Sequence, residues 1–163
     1  MFGLSDSEDL KSLYQEIILD HGKNPRNQGT VEGHTCDANG NNPLCGDRIL
    51  VTAKVDEGFI EEAAFTGKGC AISIASASMM TEIVKGRTID EFKKLFASVR
   101  AVCTESDDVD IESMSVFGEL EEDVSRLAAL GGVRNFPMRV KCATLAWHTL
   151  LSCLEGNKSV STE

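Results

Sequence analysis

No run of 18 apolar residues occurs in the chain, so no segment reads as a helix crossing a bilayer. A mean hydropathy of -0.11 agrees. The opening MFGLSDSEDL lacks a basic stretch followed by an apolar core and a small-residue cleavage site; no secretory signal is expected, and a cytoplasmic address is. Positive charge is scarce. Sixteen Lys and Arg stand against 26 Asp and Glu, a net charge of -10, which disfavours a nucleic-acid partner because phosphate backbones are held by clustered cations. From 101 to 125 there is no Lys or Arg, while Glu105, Asp107, Asp108, Asp110, Glu112, Glu119, Glu121, Glu122 and Asp123 contribute -9; this reads as a solvated acidic insertion. Internal repeats, a Cys-x-x-Cys knuckle and an evident Ser/His/Asp or Cys–His pairing are also missing.

What is present suits one domain over residues 1–163: 42% of the residues are hydrophobic and 26% charged, and the length is enough for one core. A first helix is expected from Glu8 to His21, with Leu10, Leu13, Tyr14, Ile17 and Ile18 on one face, Ser5 and Glu8 at capping-box spacing, and Gly22 and Pro25 as stops. Residues 24–46, rich in Asn, Gly and Pro, read mostly as loop with room for a short edge strand. Arg48 to Val55 alternates, Asp56–Gly58 turns the chain, and Phe59 to Phe65 returns. Cys70 opens a small-residue helix ending at Gly86. Thr88 and Glu91 cap another that carries Phe92, Leu95, Phe96 and Val99, and a short helix is expected from Asp123 to Leu130, stopped by Gly131-Gly132. Arg139 to Leu154 forms the last helix, with Ala143, Trp147, Leu150, Leu151 and Leu154 in one stripe. Residues from about 156 to 163 read as a frayed tail. The expected class is α+β, a small antiparallel three-stranded sheet packed against several helices.

Six cysteines carry the most information. A reducing compartment disfavours disulfides, which leaves metal binding or thiol chemistry. Cys45 precedes a strand within Asn42-Pro43-Leu44-Cys45-Gly46-Asp47; Cys70 follows Gly-Lys-Gly at a helix start, and Cys142 lies near the start of the last helix. Helix N-termini, together with Lys68, Arg139 and Lys141, favour thiolate at Cys70 and Cys142. Zinc takes four ligands, and Asp47, one glycine beyond Cys45, is a candidate for the fourth; a hard carboxylate beside three thiolates suggests an exchangeable site. Spacing alone is not specific and favours independent buried thiols over a shared metal site.

Three segments in order, Pro43-Leu44-Cys45-Gly46-Asp47-Arg48, Gly67-Lys68-Gly69-Cys70-Ala71-Ile72-Ser73 and Pro137-Met138-Arg139-Val140-Lys141-Cys142-Ala143, resemble the iron–sulfur assembly family that includes IscU, the NifU N-terminal domain and SufU. Leu13 to His21 and Asn24-Pro25-Arg26-Asn27 are also similar to it, and the likeness runs from about Ser12 to Leu154. IscU-type members carry His directly before the third cysteine, where this chain has Lys141, and lack a long segment between the second and third cysteines. Both departures resemble SufU. That branch implies zinc on Cys45, Asp47, Cys70 and Cys142, and a cysteine desulfurase of the SufS type as partner. Cys45 is then the sulfur acceptor, released when a desulfurase histidine takes its place on the metal. Arg139 orients Asp47 or the docked loop, and an iron–sulfur scaffold complex lies downstream. The alternative is a scaffold assembling a [2Fe–2S] cluster, or holding iron, on Cys45, Cys70 and Cys142; a structural zinc domain or a metal-free thiol enzyme is the third reading.

The remaining candidates read blandly. Cys153 lies 11 residues beyond Cys142 on one helix, about 16 Å away, too far to share a site. Cys36 and Cys103 read as structural or incidental. His21, His34 and His148 read as solvated or core residues, and Met79 and Met80 as core filling.

Overall fold

The computed structural model describes residues 5–104, 126–133 and 136–161, with side chains from residue 12 onward. The chain runs α1 (Ser5–Lys23), β1 (Cys36–Asn42), β2 (Asp47–Asp56), β3 (Phe59–Lys68), α2 (Ala71–Val84), β4 (Arg87–Thr88), α3 (Ile89–Thr104), a 3-10 helix (Ala128–Val133), α4 (Pro137–Leu154) and β5 (Ser159–Ser161). Residues 105–125 of the expected acidic insertion, and the Ser5–Glu8 capping pair, lie outside the described side chains. The helix expected from Asp123 falls partly there too. Its described part is the 3-10 helix, which continues through Gly131 and Gly132.

The sheet has five strands in the order β4-β3-β2-β1-β5, not three. All neighbours are antiparallel except β1 and β5. The β2–β3 hairpin follows the alternation read from the sequence, and its turn places Glu57 and Gly58 at φ 51° and 82°, the paired positive φ that matches strand twist. β1, in contrast, is Cys-Asp-Ala-Asn-Gly-Asn-Asn, poor in the residues strands favour. Packing outweighs propensity here: α4 lies across β1 and β2, and a Cβ on Gly40 would collide with Thr149 Oγ1. Small residues in β1 let the helix approach. β5 arises within the stretch expected to fray, pairing Ser159 to Ser161 with Asn39 to Asn41.

Ile49, Val51 and Ala53 of β2 and Phe65 of β3 are buried beneath the helices. Trp147 of α4 is fully buried, stacked on Phe92 at 5.9 Å, and its Nε1 donates to Ser76 Oγ at 3.0 Å. The Thr88–Glu91 capping box forms as expected: Thr88 N–H donates to Glu91 Oε1 at 3.0 Å, and Glu91 N–H to Thr88 Oγ1 at 3.1 Å. On α1 the expected apolar face is only partly used. Ile17 and Ile18 pack on the core, whereas Leu13 is 49% exposed, because α1 meets the body mainly through its C-terminal turns, with Gly22 set against Ala71 of α2.

That contact is pinned by His21, which is 4% exposed and shares a 2.7 Å hydrogen bond between Nδ1 and Ser78 Oγ; Ser78 also accepts the Arg26 N–H at 2.8 Å. Burial, then Arg26, pushes the His21 pKa below its ordinary 6.5, against the pull of Glu82 and Asp20. His148, set edge-on to Phe96, is lowered by burial and by Arg100. With both folded pKa values depressed, the unfolded chain takes up protons first as the pH falls through about 6.5. Stability is therefore fully present above that pH and is lost below it, down to the folded values, by up to about 1.4 kcal/mol per pH unit for each histidine. Urea midpoints at pH 7.5 and 5.5 test this: the wild type should lose stability between them, and a double His21→Gln, His148→Gln variant should lose less.

Candidate metal centre

The four-residue loop Pro43–Gly46 joins β1 to β2, whose last paired residues are Asn42 and Asp47. Proline in the second turn position presets φ, and Cys45 N–H donates to Asn42 O at 3.2 Å to close the turn. Gly46, at φ 72°, takes the left-handed conformation that returns the chain to β2. Cys45 is thus exposed at the tip, and Asp47, two residues on, is fully buried.

Cys70 caps the N-terminus of α2, and its backbone N–H donates to Asp47 Oδ1 at 2.9 Å. The approach needs Gly69: a Cβ there would lie 2.7 Å from Asp47 Oδ1. Cys142 comes from α4, in its second turn, and is fully buried. Its thiol faces Met138 O at 3.6 Å, and Asn42 Nδ2 reaches both Cys142 Sγ at 3.5 Å and Asp47 Oδ2 at 3.2 Å. The ligand atoms of Cys45, Asp47 and Cys142 all lie within 4.8 Å of one another. Cys70 lies outside this group of three side chains and meets it through its backbone N–H to Asp47.

One expectation about charge needs correction. Thiolate was expected at Cys142, but burial, reinforced by hydrogen bonds with Asp47, Cys45 and Cys70, pushes this thiol far up; lying in the second turn and out of water, it gains too little from the helix end. Arg139, expected to orient Asp47 or the docked loop, has Cys70 as its strongest partner, whose sulfur, followed by those of Cys142 and Cys45, raises the arginine's pKa. Asp47 is oriented by the Cys70 N–H and by Asn42.

The donor set fits zinc. Thiolates about 2.3 Å from a tetrahedral ion stand about 3.8 Å apart, so Cys45, Asp47 and Cys142, already within 4.8 Å of one another, need only a small contraction. Buried beside Asp47, Asn42 Oδ1 and Ser73 Oγ have no hydrogen-bond partner among the described residues, a sign of a polar pocket arranged around charge. Asn42 went unassigned in the sequence reading; its only signal was its position before the proline of the cysteine turn. Leu44, Phe136 and Met138, 52–60% exposed, are sequence neighbours of Cys45 and Arg139 and were likewise unassigned.

The other cysteines are elsewhere. Cys36 and Cys153 form a disulfide with Cα atoms 5.4 Å apart, against the expectation that disulfides are disfavoured. Cys103 is buried, its thiol facing Leu130 O at 3.8 Å. His34 pairs with Asp37 at 3.2 Å.

Residues 13–143 match the model of the NifU-like N terminal domain. The chain is 41% identical over 150 residues to the zinc-dependent sulfurtransferase SufU of Bacillus subtilis strain 168, covering 90% of this chain and 92% of that protein. It is 38% identical to the iron–sulfur cluster assembly scaffold protein IscU of Streptococcus pyogenes serotype M1, covering 90% and 85%. Among solved structures, FiSufU of Fervidobacterium islandicum AW-1 superposes with a TM-score of 0.72 at 30% identity, over 85% of this chain and 94% of that one. A NifU-like N-terminal structure from Brucella abortus shares the fold, with a TM-score of 0.74 at 20% identity over 90% and 95%. With the match spanning most of its length, the chain belongs to the NifU-like N-terminal domain family.

Proposed function

We propose that this protein acts in iron–sulfur cluster assembly as a zinc-dependent sulfur acceptor that takes persulfide sulfur from a cysteine desulfurase. The observation that carries the reading is the meeting of exposed Cys45 with buried Asp47 and Cys142, drawn from a loop, a strand and a distant helix. Cys45, Asp47, Cys70 and Cys142 are the zinc ligands. When bound, zinc keeps their thiols deprotonated and prearranged at neutral pH. Asp47 and Cys142 are fixed on regular elements and Cys70 caps α2, whereas Cys45 rides on a surface turn and is the residue best placed to leave and react. Its sulfur attacks the terminal sulfur of a persulfide on the desulfurase; that sulfur–sulfur bond breaks as a new one forms at Cys45, and the desulfurase cysteine departs as thiolate. Arg139, beside Cys70, steadies the negative charge of the thiolates. Exposed Leu44, Phe136 and Met138 offer an apolar rim for the donor. The step needs a reduced Cys45, since only the thiolate attacks.

The second reading, a [2Fe–2S] scaffold on the same cysteines, draws on the similarity to the Streptococcus pyogenes protein. Protein purified without oxygen separates them: one zinc per chain and no visible absorption is expected, and a red-brown chromophore with substoichiometric zinc would favour the scaffold. Adding the protein to a desulfurase of the SufS type with cysteine should raise alanine production severalfold. No stimulation would remove the transfer role.

A further inference from the structure

We propose that Asn42 is a positioning residue for the metal centre, holding two of its ligands at once. The inference rests on the zinc reading above. Asn42 is fully buried at the last register position of β1. Its backbone carbonyl accepts the Cys45 N–H, and its side-chain amide donates to Asp47 Oδ2 and Cys142 Sγ. One residue thus touches the turn that carries the mobile thiol, the acid ligand and the buried thiol.

The two amide contacts have different consequences. At Asp47 the donation from Asn42 and that from the Cys70 N–H occupy one lone pair on each oxygen, fixing the carboxylate plane while leaving a lone pair for an ion. At Cys142 a thiolate is a charge withdrawn from water, unfavourable unless a donor meets it, and the Asn42 amide is aimed at that sulfur. The arrangement has an energetic signature: with Nδ2 shared between the two ligands, Oδ1 is left buried without a partner among the described residues. An unsatisfied amide oxygen destabilises the metal-free fold; a residue serving only the fold is better replaced by an apolar side chain of the same shape. Groups that orient metal ligands from behind typically contribute about 10–100-fold in affinity.

The test uses the full chain with Asn42→Leu, close in shape and without polar atoms, and with Asn42→Ala. Zinc affinity is read by competition with a chromophoric chelator, ligand geometry by the cobalt(II) visible spectrum, and folding by metal-free melting. Expected are an Asn42→Leu protein that melts metal-free no lower than wild type, a zinc affinity reduced about 10–100-fold in both variants, and an altered cobalt spectrum. In an Asp47→Ala background the Asn42→Leu penalty should shrink, because one of its two targets is gone. Either variant, folded, holding zinc as tightly as wild type would overturn the assignment, as would an equal penalty in both backgrounds. Wild type that binds no zinc would overturn the metal reading itself, and with it this inference.

Discussion

Cys45→Ala is expected to abolish persulfide formation on this protein and the stimulation of the proposed cysteine desulfurase, while the chain stays folded. The loss should reach several orders of magnitude in transfer rate, since removing a nucleophile leaves no other group to form the covalent bond. Folding should survive because Cys45 is exposed at the tip of a four-residue turn whose geometry rests on Pro43, Gly46 and the Asn42 carbonyl, not on the thiol. Three other ligands remain, so zinc should still bind, more weakly. Mass spectrometry of the trapped persulfide after mixing with desulfurase and cysteine gives the readout. A Cys45→Ala protein that accepts sulfur or stimulates as well as wild type would move the acceptor role elsewhere, with Cys70, partly exposed beside Arg139, the next thiol to examine.

Opening the Cys36–Cys153 disulfide should cost about 4 kcal/mol of stability. The bond joins residues 117 apart in sequence, and a loop of roughly that length restricts the unfolded chain by about 4–5 kcal/mol. For a chain of this size the melting temperature should fall by about 8–16 °C. Cys36→Ala is the suitable variant, because Cys153 is 1% exposed within the core and Cys36 only partly buried. The cystine fastens the first residue of β1 to the last turn of α4, the two elements whose opposite ends present Asn42 and Cys142 to the metal centre. Thermal melts of wild type and variant, with a free-thiol count on each, decide it; equal melting temperatures with the wild-type disulfide intact would refute the stabilisation.

The chemistry of the site was legible in residue type and local setting. A cysteine between proline and glycine, a cysteine after Gly-Lys-Gly and a cysteine behind Pro-Met-Arg each sit where an element begins, and Asp47 lies one glycine from the first. The β2–β3 hairpin, α2, α3 and α4 were equally readable, since their periodicity and caps act over a few residues. β1 was not, because its Asn and Gly content answers to a helix more than 100 residues away that must pass close to Gly40. β5 forms only because β1 offers it an edge.

Charge state, too, depended on distance through space. Helix position and nearby cations argued for a thiolate at Cys142, and burial reversed that. The sequence by itself determined the candidate donors and the turns that present them, because those follow from side-chain chemistry and short-range backbone preference. Only the tertiary structure decided that Cys45, Asp47 and Cys142 meet, that Asn42 stands behind Asp47 and Cys142 and that Cys36 finds Cys153, because these depend on packing between segments the chain separates.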